Sequence, residues 1–111
     1  MKRIICFVRP HRLELIKTAI ATLDITGLSV AEVRGTGNSP ESAPWGAVAG
    51  VAPLPIRSRL EVVVRDEQVE PVIEAILANG RTGETNDGKI FVEEIVDAIR
   101  IRTQERGDSA V

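Results

Sequence analysis

The stretch Arg59-Leu60-Glu61-Val62-Val63-Val64-Arg65 runs directly into Asp66-Glu67-Gln68-Val69-Glu70-Pro71-Val72-Ile73-Glu74-Ala75-Ile76-Leu77-Ala78-Asn79-Gly80, and its apolar period lengthens from two to nearly four on the way. Leu60, Val62 and Val64 alternate with Arg59, Glu61 and Arg65, which predicts a half-buried strand with Val63 as the one apolar residue on its polar side. Val69, Val72, Ile73 and Ile76 then share one face of a helix that Asp66 is expected to cap and Asn79-Gly80 to end. Pro71 falls near the first turn, where a missing amide costs least.

Upstream, Ile4 to Val8 is a continuous apolar run between Lys2-Arg3 and Arg9-Pro10, the signature of a strand buried on both faces. Leu13, Ile16, Ile20 and Leu23 predict an amphipathic helix from Arg12 to Leu23, closed by Asp24 to Gly27. Leu28 to Arg34 follows as a second strand. Downstream of Gly80, the polar turn-rich run 81–88 leads into a strand from Lys89 to Val92, a further apolar stretch from Ile95 to Ile101, and a polar tail from Thr103. The order strand, helix, strand, strand, helix, strand predicts an α+β fold of the split βαβ, ferredoxin-like kind: a four-stranded antiparallel sheet with two helices on one face. Because Ile4 to Val8 is apolar on both sides, the other face also needs cover, and for so short a chain another copy of itself is the economical one.

The stretch from Gly35 to Pro55 holds four of the nine glycines and four of the six prolines and keeps no period, so one domain, 1–111, is expected to carry a flexible loop at about 36–56. A loop of that length in a compact domain reads as a binding element. At 111 residues the chain has room for a single core, and 43% hydrophobic with 27% charged residues describes an ordinary globular protein, not a disordered one. A net charge of -2 argues against nucleic acid as a partner. The single cysteine, Cys6, excludes an intramolecular disulfide framework, and the N-terminal apolar run is too short for a signal peptide or membrane insertion, so a cytoplasmic setting is expected.

Three stretches are rich in anion-binding groups: Gly35-Thr36-Gly37, Asn86-Asp87-Gly88-Lys89 and Arg100-Ile101-Arg102-Thr103. Glycines let backbone amides approach a phosphate. Two arginines two residues apart on an extended segment would point the same way and form a fork for a polyphosphate. Read from pattern alone, a solvated strand edge and an ordinary hairpin loop explain these charges at least as well. Cys6, mid-strand, is expected to be a buried small hydrophobe. His11 lacks a partner for a metal, and Glu93-Glu94 lack a base or nucleophile for catalysis. Trp45, in the long loop, is read either as an anchor for a partner or as packing onto the protein's own assembly.

The run Arg-Thr-Gly-x-x-x-Asp-Gly-Lys-Ile-Phe-Val at 81–92, followed by Ile-Arg-Ile-Arg-Thr at 99–103, resembles the C-terminal signature of the PII signal-transduction family. Met-Lys-Arg-Ile with Arg9-Pro10, Ile25 to Val30, Glu32-Val33-Arg34-Gly35-x-Gly37, and Glu61 to Val64 with Glu74-Ala75-Ile76 sit at that family's spacing too. The resemblance implies a homotrimer that binds ATP, ADP or AMP in clefts between subunits, is not an enzyme, and contacts a target protein, a transporter or a carbon-fixation component, through the loop. Carried over by position, it implies nucleotide contacts from Ser29, Gly35, Thr36, Gly37, Asn38, Arg57, Asp87, Gly88, Lys89, Arg100 and Arg102, with no required cofactor and no assignment for magnesium.

Where the family commonly has a loop-base glutamine and a lysine partner, this chain has Ser39 and Arg57; in the phosphate loop Glu84 and Asn86 stand for a lysine and a glycine. The added negative charge favours ADP or AMP over ATP. No tyrosine exists for the loop modification used by nitrogen-regulatory members. The short loop with Trp45 is similar to PII-like proteins of inorganic-carbon metabolism, which implies bicarbonate as a second ligand, with Arg57, Arg59 and Ser39 as candidates, and a carboxysome-associated setting. The alternatives are a nitrogen regulator responding to ATP and 2-oxoglutarate, a CutA-like module reporting on metal or transport, and a weak ATP-hydrolysing enzyme.

Overall fold

A computed structural model describes residues 1–37 and 54–111. Strand β1 spans Lys2–Val8, helix α1 Leu13–Ala21, strand β2 Ser29–Arg34, strand β3 Ile56–Val64, helix α2 Val69–Gly80 and strand β4 Gly88–Glu94. The strands form one sheet in the order β2-β3-β1-β4, antiparallel throughout. That order and the element sequence are the ferredoxin-like α+β fold read from the periodicities. The expected flexible loop at about 36–56 lies for the most part outside the described residues.

The boundaries shift where pairing overrides local pattern. Strand β3 begins at Ile56, three residues before the alternation becomes apolar, because Ile56, Arg57 and Ser58 pair with Arg34, Val33 and Glu32 of β2. Strand β4 reaches Glu94, opposite Lys2, where only Lys89 to Val92 was expected. Helix α1 is shorter than the run from Arg12 to Leu23: a 3-10 turn at Pro10–Arg12 precedes it, and Leu23 follows its C-cap, Thr22, whose hydroxyl donates to the Ala19 carbonyl.

Asp66 does not cap α2. It opens a 3-10 turn, Asp66–Gln68, and its carboxylate accepts from the Met1 ammonium at 2.9 Å; the side-chain Oε1 of Gln68 instead accepts from the Arg65 amide. Pro71 sits in the first turn of α2, as its missing amide requires.

The core lies between the sheet and the helices. Ile4, Cys6 and Val8 of β1 and Leu60, Val62 and Val64 of β3 meet Ile16 and Ile20 of α1 and Val69, Val72 and Ile76 of α2, all buried. Each of the Ile, Leu and Val side chains contributes about 1.5–3 kcal/mol relative to its exposed state. Cys6 is the small hydrophobe expected, and burial pushes its thiol up to about 11. The sheet's other face carries Ile5, Phe7, Val63 and Phe91, and among the described residues no helix covers it. Phe7 and Phe91 meet edge to face with centroids 6.2 Å apart, and Phe91 remains 48% exposed.

Candidate functional site

Where β1 ends, β2 ends and β3 and β4 begin, the sheet opens into a cleft of about 500 Å³. It is lined by the cationic side chains of Arg34, Arg57 and Lys89, interleaved with the apolar ones of Phe7, Val33 and Phe91. Gly35, Thr36 and Gly37 form one lip; Asn86, Asp87 and Gly88 form the other. Arg34 donates to the Leu54 carbonyl at 3.2 Å and Arg57 to the Ile56 carbonyl at 2.8 Å. Among the described residues none of the three cations pairs with a carboxylate. In a chain of net charge -2 this is a local excess of positive charge beside an apolar wall.

The lip at 86–88 is held by Asp87. Its carboxylate accepts from the Thr82 hydroxyl, from the amides of Thr82 at 2.9 Å and Gly83 at 3.1 Å, and from Arg9 Nε at 3.2 Å. Those bonds, the Thr82 hydroxyl first, hold its pKa down to about 2. Arg9 also donates to the Thr85 carbonyl at 2.8 Å. Asp87 is therefore a positioning residue for the loop, and the amides of Thr82 and Gly83 turn inward to it, away from any ligand.

Gly88 has φ +120, and a Cβ there would lie 1.7 Å from the Phe7 carbonyl oxygen. The glycine is required by the close approach of β1. The expectation that Gly35 and Gly37 offer free amides is corrected: Gly35 N donates to the Pro55 carbonyl at 3.0 Å, and Gly37 N to Asn86 Oδ1 at 3.1 Å.

Of the residues anticipated for a nucleotide, Gly35, Thr36, Gly37, Arg57, Asp87, Gly88 and Lys89 come together at this cleft. Ser29 begins β2 opposite Glu61, roughly 17 Å along the strand from Arg34 at about 3.3 Å per residue. Arg100 and Arg102, in the C-terminal segment, are not among the residues that line the cleft. The extended fork expected there is absent: 101–103 is a turn, closed by a bridge between Ile99 and Arg106, by the Arg100 amide on the Glu105 carbonyl at 2.9 Å and by the Gln104 amide on the Arg100 carbonyl at 2.8 Å. Arg100 stands 3.6 Å from Glu105, and Arg102 is exposed.

Arg59, a bicarbonate candidate, is bound to Glu61 at 3.1 Å. Asn38, Ser39 and Trp45 lie outside the described residues. The sequence reading missed Arg34, Phe7 and Phe91 as lining and Arg9 as the partner of Asp87. No local signal joins Arg9 to a residue so distant in the chain; only the pairing of β1 with β4 does.

Among the described residues no three His, Cys, Asp or Glu side chains gather where they could hold a metal ion, and no helix is long and apolar enough to cross a membrane. The fold and cleft thus define a small α+β module in which one cleft offers cations and aromatic rings together. The model of the nitrogen regulatory protein P-II family matches residues 1–105. Nitrogen regulatory protein P-II of Cereibacter sphaeroides is 41% identical over 113 aligned residues, covering all of both chains. Nitrogen regulatory protein P-II 2 of Methanothermobacter thermautotrophicus is 40% identical over 113, covering all of this chain and 97% of its own. The P-II homolog of Arabidopsis thaliana is 40% identical over 105, covering 93% of this chain and 54% of its own. The chain belongs to the P-II family of signal-transduction proteins.

Proposed function

We infer that this P-II protein is a cytoplasmic sensor of adenine nucleotides, in which the phosphates of ADP, AMP or ATP lie against Lys89 and Arg57 and the base against the Phe7–Phe91 wall. The observation that carries this reading is the convergence of Arg34, Arg57 and Lys89, none held by a carboxylate among the described residues, on a cleft that Phe7 and Phe91 also line. A nucleotide is both polyanionic and flat and apolar, and each charge-assisted phosphate contact is worth about 1.5–3 kcal/mol.

The cleft in one chain lacks Ser29, Arg100 and Arg102. In a homotrimer a neighbouring chain supplies them across the subunit boundary, and the open sheet face around Ile5, Phe7, Val63 and Phe91 gains its cover. The loop then engages a target protein, a transporter or a carbon-fixation component. Bicarbonate is the second ligand of this reading, held by Arg57, with a carboxysome-linked role in carbon regulation. The relatives' names favour the alternative, nitrogen regulation, in which 2-oxoglutarate takes that place.

Calorimetry with ATP, ADP and AMP, each with and without bicarbonate or 2-oxoglutarate, tests the proposal. Micromolar heat from at least one nucleotide is expected, strengthened by bicarbonate. Heat enhanced by 2-oxoglutarate alone transfers the protein to nitrogen regulation. No heat from any nucleotide ends the sensor reading. A metal titration and a turnover assay then separate a CutA-like module from a weak ATPase.

A further inference from the structure

Asn86 adopts φ +70, a left-handed conformation that asparagine tolerates better than most residues, and it presents its side-chain carbonyl to the opposite lip of the cleft. There Oδ1 accepts the hydrogen bond of the Gly37 amide at 3.1 Å. The contact is close on the other side as well: a Cβ on Gly37 would stand 3.0 Å from the same oxygen. Gly37 is the last described residue before the segment 38–53. One side chain therefore ties the 81–88 loop to the base of the long loop, across the mouth of the site.

We propose that Asn86 is a specificity-determining latch: its carbonyl occupies the backbone donor that a ligand phosphate would otherwise take, so a phosphate on the Gly37 amide and the Asn86–Gly37 contact exclude each other. The inference rests on the nucleotide reading above. An N–H serves one strong acceptor well, and a charged phosphate oxygen is a stronger acceptor than an amide carbonyl. A phosphate that reaches Gly37 displaces Oδ1, and Asn86 turns away. A ligand held only by Lys89 and Arg57 leaves the latch closed. Whether the two lips are joined thus reports how far along the cleft the anion extends, and by linkage closing the latch weakens the anion by the same factor that the anion weakens the latch. Three amides nearby are already taken in the same way: Gly35 N is held by the Pro55 carbonyl, and the Thr82 and Gly83 amides by Asp87.

The test compares wild type, Asn86→Gly and Asn86→Asp. Glycine keeps the positive φ without strain and removes the acceptor; aspartate keeps the acceptor and adds charge. Losing one competing hydrogen bond is expected to tighten binding of the preferred nucleotide about two- to tenfold in Asn86→Gly, and Asn86→Asp is expected to weaken it. In the nucleotide-free proteins the Gly37 amide is expected to exchange with solvent more slowly in wild type and Asn86→Asp than in Asn86→Gly. A purely structural role for Asn86 predicts instead a lower Tm in Asn86→Gly with affinity unchanged or reduced, and that result overturns the latch. If wild type shows no heat with ATP, ADP or AMP, the nucleotide reading itself fails and the competition with it. If wild type binds and Asn86→Gly binds equally well, only the latch fails.

Discussion

The carbonyl oxygen of Phe7 lies 1.7 Å from the point where a Cβ on Gly88 would stand, so strand β1 and the start of strand β4 approach as only a glycine permits. That approach sets Phe7 beside Lys89 in the register and Phe91 within stacking distance, and it fixes the floor on which the cleft is built. Gly88→Ala meets both a backbone clash and φ +120, and its expected cost is about 3 kcal/mol or more. Urea denaturation of the variant checks it; a change within 0.5 kcal/mol, the ordinary range for a surface position, contradicts the geometry.

Asp87 is a proton-linked stabiliser of the 81–88 loop. Its pKa is about 2 in the folded protein against about 4 in an unfolded chain, so its contribution is fully present above pH 4 and is lost as the pH falls towards 2. Asp87→Asn is expected to lower Tm at pH 7 and to flatten the decline of Tm between pH 4 and pH 2. Parallel wild-type and variant curves through that window contradict the assignment.

Lys89→Ala and Arg57→Ala are each expected to weaken nucleotide binding roughly 10-fold or more, since each removes a charge-assisted contact. Arg102→Ala is expected to do the same from outside the single-chain cleft. Co-assembling Lys89→Ala chains with Arg102→Ala chains then restores binding at those clefts where an intact Lys89 meets a neighbour's intact Arg102. Calorimetry on the mixture that shows no recovery places both residues in one chain's site and refutes the shared cleft.

Phe91→Glu puts a charge on the uncovered sheet face without entering the helix-side core. The expected outcome is a folded protein by circular dichroism whose mass by light scattering falls from trimer to monomer, with nucleotide binding lost alongside. A trimer that survives the substitution removes this face from the interface.

The fold was legible because its information is local. Leu60, Val62 and Val64 alternate whatever the rest of the chain does, and Val69, Val72 and Ile76 keep helical spacing by themselves, so four strands and two helices in a known order leave few antiparallel topologies. Asp66 shows the limit of local chemistry: it has the residue type of a helix cap, yet the Met1 ammonium, brought near by sheet pairing, takes its carboxylate.

The site was half legible for the same reason. Composition and spacing suffice to identify anion-binding residue types at Gly35 to Gly37, at Asp87 to Lys89 and at Arg100 and Arg102, because glycine freedom and guanidinium charge belong to the residues themselves. Which groups share a cleft, which amides are already satisfied, that Asp87 orders the loop through Thr82 and Arg9, and that 101–103 turns where an extended fork was expected are decided by tertiary structure alone. Those facts depend on contacts between segments distant in the chain, and hydrogen-bond donors are finite: the amides of Gly35 and Gly37 have acceptors that no reading of their neighbours in sequence could supply.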